Sequence, residues 1–187
     1  MDVMTDEAIA RAVQAGDQNA FGELINRYEV KLSRYGRKFL RQREAIEDMV
    51  QDVFIKAYLN IQSFDPDKRF SPWIYRIAHN TFINELRRSH RFLFFDFDTD
   101  TLFPHLIAAE TADQGALESE LRSHLDELLS LLPPKYREVI VLHYIEDLSY
   151  QEISDVLHIP VNTVGVRLNR ARQHLRTSYE VRYPHHA

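Results

Sequence analysis

The sequence predicts an all-α protein made of two small helical domains joined by a flexible acidic linker. Apolar residues recur at spacings of three and four on both sides of the middle of the chain, which is typical of amphipathic helices. Residues 92–118 break this period, contain Pro104 and Gly115, and carry 6 acidic residues but no Lys or Arg. We therefore expect an N-terminal domain at 1–91, a linker at 92–118 and a C-terminal domain at 119–187.

Four helices are expected in the N-terminal domain, which would form a helical bundle. Ser71 and Pro72 mark the start of the last one, because Ser can cap a helix and Pro suits the first helical position. The four helices are expected from Thr5 or Asp6 to Gly16, along the apolar face between Phe21 and Phe39, from about Glu44 to Ile61, and from Ser71 onward.

The C-terminal domain has the spacing of a helix-turn-helix unit. Ser149 and Glu152 fit a capping box, in which each side chain accepts a hydrogen bond from the other residue's backbone N–H. The short helix that it opens is followed by a turn and a second amphipathic helix. The helices of this domain are expected from Leu117 to Leu132, where Pro133 and Pro134 follow, from about Lys135 to Ile145, from Ser149 to Leu157, and from about Asn162 onward.

Composition excludes several classes of protein. The chain has 0 Cys, which excludes disulfide scaffolds and Cys-ligated zinc modules, and it has no apolar run of about 18 residues that would span a membrane. The N-terminus lacks the basic start and apolar centre of a signal peptide, so we expect a cytoplasmic protein. The net charge of -5 argues at first against nucleic acid, yet residues 61–91 carry 6 bases against 3 acids and residues 150–187 carry 5 against 3.

The third helix carries a second stripe opposite its apolar face. Ile and Leu beside carboxylates on an outward face indicate a protein-binding surface. The alternative is a solvated acidic face with two chance apolar residues. The stripe consists of Asp48, Asp52, Ile55 and Leu59, with Gln51 at its edge.

The fourth helix separates an apolar arc from a polar arc that lacks acidic residues. Trp can stack on bases, Asn can bond a base edge and Arg can neutralise phosphate, so the polar arc suits single-stranded nucleic acid. The alternative is an ordinary wet face that ends in cations favoured by the helix dipole. The polar arc consists of Trp73, Arg76, Asn80, Asn84 and Arg87, and the loop 63–70 before it, with Phe64, is a candidate wall for a pocket that holds an unstacked base.

The last helix presents residue types that contact phosphates and base edges in a major groove. No acidic residue occurs between Thr163 and Tyr179, which favours DNA binding over an ordinary amphipathic helix pair. The outward residues are Thr163, Val166, Arg167, Asn169, Arg170 and Gln173.

Five strings in the chain resemble those of the bacterial sigma factors of the extracytoplasmic-function group (ECF, group IV), the smallest members of the principal sigma family. They occur in the family's order across most of residues 5–178. The resemblance implies a first domain that binds core RNA polymerase and melts the minus-ten promoter element, and a second that binds the minus-thirty-five element as duplex. The strings are AFGELINRYE, IEDMVQDVFIKAYLNIQSF, SPWIYRIAHNTFINELRR, LPPKYREVIVLHYIEDLSYQEISDVLHIPVNTV and RLNRARQHLR.

The same resemblance implies roles for individual residues. The helix that docks on the clamp of the largest polymerase subunit would carry Asp48, Gln51, Asp52, Ile55 and Leu59. Residues expected to bind the minus-ten element, with Asn80 and the loop around Phe64 at a flipped base, are Phe64, Lys68, Arg69, Trp73, Arg76, Asn80, Asn84, Arg87 and Arg88. Residues expected to bind the minus-thirty-five element are Asn162, Thr163, Val166, Arg167, Asn169, Arg170, Arg172 and Gln173.

The chain departs from the family pattern on its last helix. Gly165-Val166 stands where a basic residue followed by Ser is usual. Gly within a helix costs about 1 kcal/mol relative to Ala, and one possible contact with DNA is missing. The loop 65–69 also resembles the family only loosely.

The resemblance implies partners as well. In the family, a membrane-anchored anti-sigma factor commonly holds the protein inactive and covers its polymerase and DNA surfaces. The chain is therefore expected in the cytoplasm, and at the membrane when an anti-sigma factor binds it. The acidic linker corresponds to the segment that threads toward the RNA exit path. No cofactor, metal or small-molecule substrate is expected.

Two other functions stay open on the residues alone. A two-domain helix-turn-helix regulator would bind operator DNA directly, without polymerase and with a strong salt dependence. An enzyme is disfavoured, because the 9 His residues form no HExxH pair and no Gly-rich phosphate loop occurs. His185 and His186 could touch a metal, although a chain terminus is expected to fray.

Overall fold

The computed structural model describes residues 4–37, 40, 42–88 and 128–182, and within these ranges all regular secondary structure is helical. The all-α class and the two helical domains are thereby confirmed. A short 3-10 helix, Ile61–Ser63, follows α3, and a π-helical segment, Val141–Ile145, continues α5. The α-helices are α1 (Asp6–Gln14), α2 (Ala20–Gly36), α3 (Arg43–Leu59), α4 (Phe70–Arg88), α5 (Pro134–Ile140), α6 (Tyr150–Leu157) and α7 (Val161–Arg182).

Some expectations fall on residues that the structure does not describe. These are the acidic linker, the two domain boundaries, most of the helix expected from Leu117 to Leu132, and the His185-His186 pair. None of the described helices is both long and apolar enough to cross a lipid bilayer.

The first helix begins where its sequence predicts. The Thr5 hydroxyl accepts a hydrogen bond from the Ala8 backbone N–H at 3.2 Å, and Gly16 follows the helix with a φ of 106°. Asp6 then joins α1 to α2, since its two carboxylate oxygens accept hydrogen bonds from Arg27 at 2.7 Å and from Tyr28 at 2.6 Å.

The start of α4 lies one residue before the predicted position and is hydrogen-bonded to α1. The helix begins at Phe70, so the prediction that Ser71 caps it is wrong, because Ser71 already lies inside the helix. The Glu7 carboxylate of α1 instead accepts a hydrogen bond from the Phe70 backbone N–H at 2.9 Å. A carboxylate at this end of a helix is also favoured by the helix dipole.

The N-terminal core consists of the apolar faces that the spacing predicts on α2, α3 and α4. Gly36 lets α2 approach its neighbours closely, because a Cβ there would lie 2.7 Å from Cζ of Phe82. Phe54 of α3 also joins the core, which the sequence analysis did not predict. The predicted residues that are buried are Phe21, Leu24, Tyr28, Leu32 and Tyr35 of α2, Ile46, Val50, Val53 and Ala57 of α3, and Ile74, Tyr75, Ala78, Phe82 and Leu86 of α4.

The C-terminal domain contains the predicted helix-turn-helix pair. The capping box is present, since Ser149 Oγ accepts from the Glu152 N–H at 3.3 Å and the Glu152 carboxylate accepts from the Ser149 N–H at 2.7 Å. His158 ends α6 in the left-handed conformation, with a φ of 54°, and so makes the turn into α7. Ile153 and Val156 of α6 and Val164 and Leu168 of α7 are all buried, as their spacing predicts.

Candidate functional site

The outward face of α3 carries both carboxylates and exposed aliphatic side chains, as the sequence predicts. Ile55 and Leu59 are 56% and 73% exposed, although both are large aliphatic side chains. Tyr58, which the sequence analysis missed, is 37% exposed between them and packs edge-on against Phe21 at 5.2 Å. The residues of this docking stripe, all exposed, are Asp48, Gln51, Asp52, Ile55 and Leu59. The structure thus presents a continuous apolar strip with carboxylates at one end.

Only part of the predicted polar arc of α4 is exposed to solvent. Arg76, Asn80 and Asn84 are exposed and follow one another at spacings of four residues, so they share one face of the helix. Arg87 and Arg88 lie in the last turn, and their side chains are outside the description. This face therefore offers one guanidinium and two amides to a ligand.

Trp73 and Phe64 are both buried, so the expectation that Trp73 lies on the outward polar arc of α4 is wrong. Trp73 is 9% exposed and Phe64 is 3% exposed. The two rings pack against each other at 5.3 Å, and Phe70 lies 5.4 Å from Trp73 and 5.3 Å from Phe64. The spacing of residues along α4 does not predict this aromatic cluster, because Trp73 is buried by the loop that precedes the helix.

Hydrogen bonds from α1 hold the loop between α3 and α4 in place. The Gln14 side-chain amide donates to the backbone carbonyls of Ile61 and Phe64, both at 2.7 Å. Lys68 is exposed and lies 3.8 Å from Asp65. The loop therefore presents a cation to solvent from a backbone that α1 fixes in place.

The outward face of α7 carries most of the residues predicted for duplex DNA. Val166 is 52% exposed, which leaves an apolar contact in the middle of a polar face. The exposed residues are Asn162, Val166, Asn169, Arg170, Arg172 and Gln173. Thr163 and Arg167 are half-buried and so lie at the border of this face.

Two arginines of α7 sit away from the centre of that face. Burial lowers the pKa of the Arg167 guanidinium, and the Glu138 carboxylate partly offsets this effect. Arg172 lies on the opposite flank of the helix and donates from Nε to the Leu168 carbonyl at 3.3 Å. Arg170 keeps an outward position and donates to the Tyr136 hydroxyl at 3.4 Å.

The two domains touch each other, which the sequence analysis did not anticipate. Glu138 of α5 is buried, and its Oε1 accepts a hydrogen bond from the Tyr35 hydroxyl of α2 at 2.6 Å. The same oxygen lies 2.8 Å from Nδ1 of His79 on α4. Burial and the nearby carboxylate raise the pKa of Tyr35 well above its ordinary value, so its hydroxyl keeps the proton that it donates.

A second buried carboxylate lies next to the first along this contact. Glu146 accepts a hydrogen bond from Nη2 of Arg34 at 2.9 Å, and its side chain is only 3% exposed. Burial and Glu146 also raise the pKa of Tyr75. Among the described residues, neither the Tyr75 hydroxyl nor Nε of Arg34 has a hydrogen-bond partner.

Arg69 makes the third connection between the domains. Its Nη1 donates to the Asp147 backbone carbonyl at 2.9 Å and lies 3.2 Å from a carboxylate oxygen of Glu152. Farther along the same contact, α4 packs against α6, the first helix of the helix-turn-helix pair. We call these three connections, made by Glu138, by Glu146 and by Asp147 with Glu152, the domain contact. Within the described ranges, no cluster of three His, Asp or Glu side chains is placed to hold a metal ion.

Sequence comparisons relate the chain to one family of proteins. A family model described as Sigma-70 region 2 matches residues 24–92, and one described as Sigma-70, region 4 matches residues 122–175. The ECF RNA polymerase sigma factor SigW of Bacillus subtilis (strain 168) is 37% identical over 182 residues, a match that covers 94% of this chain and 97% of SigW. The ECF RNA polymerase sigma-E factor of Haemophilus influenzae is 36% identical over 176 residues, which cover 91% of this chain and 93% of that protein.

Solved structures show the same similarity. CnrH in complex with the cytosolic domain of CnrY is 30% identical to this chain, with a TM-score of 0.65 over 94% of this chain and 97% of CnrH. The sigma factor RpoE of Bartonella quintana, solved with the anti-sigma factor NepR, is 24% identical and has a TM-score of 0.68 over 86% of this chain and 97% of RpoE, which shows a shared fold.

Proposed function

Because this chain belongs to the extracytoplasmic-function sigma factors of the sigma-70 family, we propose that it binds core RNA polymerase, directs it to particular promoters and helps to open the DNA there. The observation that carries this proposal is the match to whole sigma factors, with regions 2 and 4 in their usual order. The chain would act as an initiation factor with no catalytic chemistry of its own. It would bind promoter DNA as part of the polymerase rather than alone.

Polymerase binding is assigned to the docking stripe of α3. Ile55 and Leu59 are aliphatic side chains that water surrounds in the free chain, and their burial on a partner would be favourable by about 25 cal/mol per Å². Asp48 and Asp52 would supply the charge complementarity that orients the partner. The expected partner surface is the clamp of the largest polymerase subunit, with cations opposite the two carboxylates.

We assign binding of the minus-ten element to α4 and the loop before it. Arg76 and Lys68 are exposed and can pair with phosphates, and the Asn80 amide can bond the edge of an unstacked base. Arg69, Asn84, Arg87 and Arg88 complete the proposed set. The buried cluster of Trp73 and Phe64 would support this surface from beneath rather than stack on DNA.

Minus-thirty-five DNA is assigned to the outward face of α7. Amides and guanidiniums at Asn162, Asn169, Arg170 and Gln173 can bond base edges and phosphates in a major groove. The exposed Val166 fits an apolar contact such as a thymine methyl. Thr163, Arg167 and Arg172 would contribute from the border of this face.

A membrane-anchored anti-sigma factor is the regulatory partner that we propose. The relative CnrH was solved with the cytosolic domain of CnrY, and a similar partner would place this chain in the cytoplasm, close to the membrane when bound. The partner would cover the same docking stripe and DNA surfaces that the polymerase and promoter need.

The proposed function is tested by reconstitution with core polymerase from the source organism. The purified chain should bind core enzyme and support initiation at a promoter from its own genome. Substituting Asp52 with Lys reverses a charge at the docking stripe and should weaken core binding by about 1–3 kcal/mol, roughly 5- to 150-fold. Glu29→Lys makes the same charge change on an exposed part of α2 and should leave the affinity unchanged. A chain that neither binds core enzyme nor supports initiation would refute the proposal.

A further inference from the structure

We propose that Gln14 of α1 is a positioning residue for the minus-ten element, because its side chain fixes the loop 61–70 and thereby decides which unstacked base the loop accepts. This inference rests on the proposed function, which assigns that loop and Asn80 to minus-ten DNA. It gives a role in promoter selection to α1, a helix that carries none of the residues expected to touch DNA.

The side-chain amide of Gln14 uses both of its N–H groups on this loop. Nε2 donates to the carbonyl oxygens of Ile61 and Phe64, each at 2.7 Å, and an amide nitrogen has only two N–H groups. The Gln62 side chain donates in return to the Gln14 backbone carbonyl at 3.1 Å. Ile61 begins the 3-10 helix and Phe64 follows it, so one side chain ties both ends of this turn to α1.

Two more residues on the same face of α1 contact the far end of the loop. Glu7, Arg11 and Gln14 follow one another at spacings of four and three, which places them on one side of the helix. Glu7 accepts a hydrogen bond from the Phe70 N–H at 2.9 Å, and Arg11 lies 3.2 Å from the Asp67 carboxylate. The Arg11 ion pair is exposed and adds little, so Gln14 and Glu7 are the residues that hold the loop.

Phe64 is fixed through its backbone on one side and through its ring on the other. The ring is 3% exposed and packs 5.3 Å from that of Trp73, while Gln14 holds the carbonyl. In the next turn of the loop, the Asp65 carbonyl accepts a hydrogen bond from the Lys68 N–H at 3.0 Å. The exposed Lys68 side chain therefore leaves the loop from a backbone whose position depends on Gln14.

Selection among bases requires donors and acceptors at fixed positions. The four bases differ in the pattern of donors and acceptors on their edges, so a rigid loop accepts one pattern and a mobile loop adjusts to several. The exposed polar side chains of the loop include Gln62, Ser63, Asp65 and Lys68. Loss of the Gln14 hydrogen bonds should therefore reduce selectivity for one base, while phosphate contacts, which carry no sequence information, should persist.

Gln14 can be changed without removing the contacts that pack α1 onto its neighbours. The apolar contacts of α1 come from Ile9, Ala10 and Val13, which are buried. Gln14 itself is only half-buried. Variants at this position should therefore fold, and their effects should report on the loop.

Three substitutions separate hydrogen-bond donation from packing. Gln14→Met keeps the length of the side chain and removes both donors, and Gln14→Glu keeps its shape but places a carboxylate against two carbonyl oxygens. Gln14→Lys retains N–H donors and can extend its charge to water, so it should restore the behaviour of the parent chain. Gln18→Met makes the same chemical change at an exposed site after α1 and is the matched control.

Hydrogen exchange in the full chain, without polymerase or DNA, measures how firmly the loop is held. The backbone N–H groups of Ser63, Phe64 and Lys68 each donate to the carbonyl three residues before, at 2.9, 3.1 and 3.0 Å, and so report opening of the loop. Their exchange should be about tenfold faster in Gln14→Met and Gln14→Glu, because two hydrogen bonds are lost, and unchanged in Gln14→Lys and Gln18→Met. Equal protection in all four variants would overturn the inference.

Base selectivity separates a positioning role from a merely structural one. The probe is a set of fork-junction duplexes whose single-stranded minus-ten segment carries each of the four bases in turn at every position, bound by the chain with core polymerase. The parent should prefer one base by about tenfold or more at the position that the loop captures, and Gln14→Met and Gln14→Glu should lower this preference to about twofold. Affinity for the other three bases and for core enzyme should not change, and Gln14→Lys and Gln18→Met should keep the preference. Equal weakening of all four bases, or an unaltered preference, would overturn the inference.

The inference and the proposed function fail in different ways. A parent chain that forms no complex with core polymerase, or that shows no preference at any position, would refute the proposed function. A parent chain with a clear preference that Gln14→Met leaves intact would refute only the role of Gln14. The exchange measurement contains no polymerase, so it tests the hold of Gln14 on the loop in either case.

Discussion

The hydroxyl of Tyr35 donates to the Glu138 carboxylate at 2.6 Å, although the two residues are 103 positions apart and belong to different domains. The ring of Tyr75 lies beside that of Tyr35, 5.3 Å away and edge-on. Its own hydroxyl has no hydrogen-bond partner among the described residues. The two tyrosines therefore form a pair for comparison, in which the Tyr35 hydroxyl makes a direct hydrogen bond across the domain contact and the Tyr75 hydroxyl, near the Glu146 carboxylate, does not.

Replacing each tyrosine with phenylalanine measures separately what each hydroxyl contributes to the free energy of unfolding. Tyr35→Phe removes a hydrogen bond to a buried carboxylate and should lower the free energy of unfolding by about 1–3 kcal/mol. Tyr75→Phe removes a hydroxyl that only lies near the Glu146 carboxylate, without a direct hydrogen bond, and should lower the free energy of unfolding by less than Tyr35→Phe does. Urea unfolding followed by circular dichroism measures both, and equal losses in the two variants would contradict this interpretation of the contact.

Alkaline pH should destabilise the fold through three buried tyrosines. Burial raises the pKa values of Tyr28, Tyr35 and Tyr75, whereas in the unfolded chain tyrosine loses its proton near pH 10. Above that pH the unfolded state binds fewer protons than the folded state, so the free energy of unfolding falls as pH rises. This stability is fully present below about pH 10 and is lost above it, by up to about 1.4 kcal/mol per pH unit for each tyrosine.

Urea unfolding between about pH 9 and pH 11 measures this slope, and Tyr75→Phe should reduce it by the share of one tyrosine. Absorbance of the tyrosinate ion should show that the three buried side chains titrate only when the protein unfolds. Titration of every tyrosine near its ordinary pKa in the folded chain would contradict the prediction.

Two glycines of α2 should respond to alanine in opposite directions. At Gly36 a Cβ would lie 2.7 Å from the Phe82 ring and 3.1 Å from Ile46, so Gly36→Ala should cost about 1–3 kcal/mol of stability by overpacking. At Gly22 a Cβ would meet nothing within 4 Å, so Gly22→Ala should stabilise the helix by roughly 0.5–1 kcal/mol. Thermal unfolding of the two variants and of the parent chain measures these changes in stability. A loss of stability at both positions would contradict the prediction.

Gly165 on α7 should tolerate alanine and gain stability from it. A Cβ there would sit 3.7 Å from Cε2 of Tyr150, which is an ordinary van der Waals contact. Gly165→Ala should therefore stabilise the C-terminal domain by about 1 kcal/mol, which corresponds to a rise in Tm of roughly 2–4 °C. Scanning calorimetry measures the rise, and an unchanged or lower Tm would indicate that Gly165 has a role that its surroundings do not reveal.

Asn80 should matter for opening promoter DNA more than for binding polymerase. Its amide is exposed on α4, away from the docking stripe of α3. Asn80→Ala should reduce permanganate reactivity of the melted strand while core affinity stays within about twofold of the parent, since surface substitutions away from an interface change little. Asn26→Ala, at an exposed position on α2, is the control. Normal melting by Asn80→Ala would remove this residue from the minus-ten surface.

Local patterns account for the parts of the fold and the site that were predictable. The apolar periods of α2 to α4, the Thr5 cap and the capping box of Ser149 and Glu152 depend on residues three or four positions apart, so their signals are visible in the chain itself. The exposed stripe on α3 followed from the same helical geometry. The order of the five strings was enough to identify the family.

Packing between distant segments decided the rest. The Glu7 carboxylate, and not the Ser71 side chain, accepts the hydrogen bond from the backbone N–H at the start of α4. Trp73 is buried because Phe64 of the preceding loop packs against it. Nothing in the local sequence marks Glu138 as buried, because its partners, Tyr35 of α2 and His79 of α4, are remote along the chain. Periodicity states which face of a helix is apolar, but burial of a given side chain depends on which remote segment covers it. The contact that closes the two domains on each other therefore becomes visible only in three dimensions.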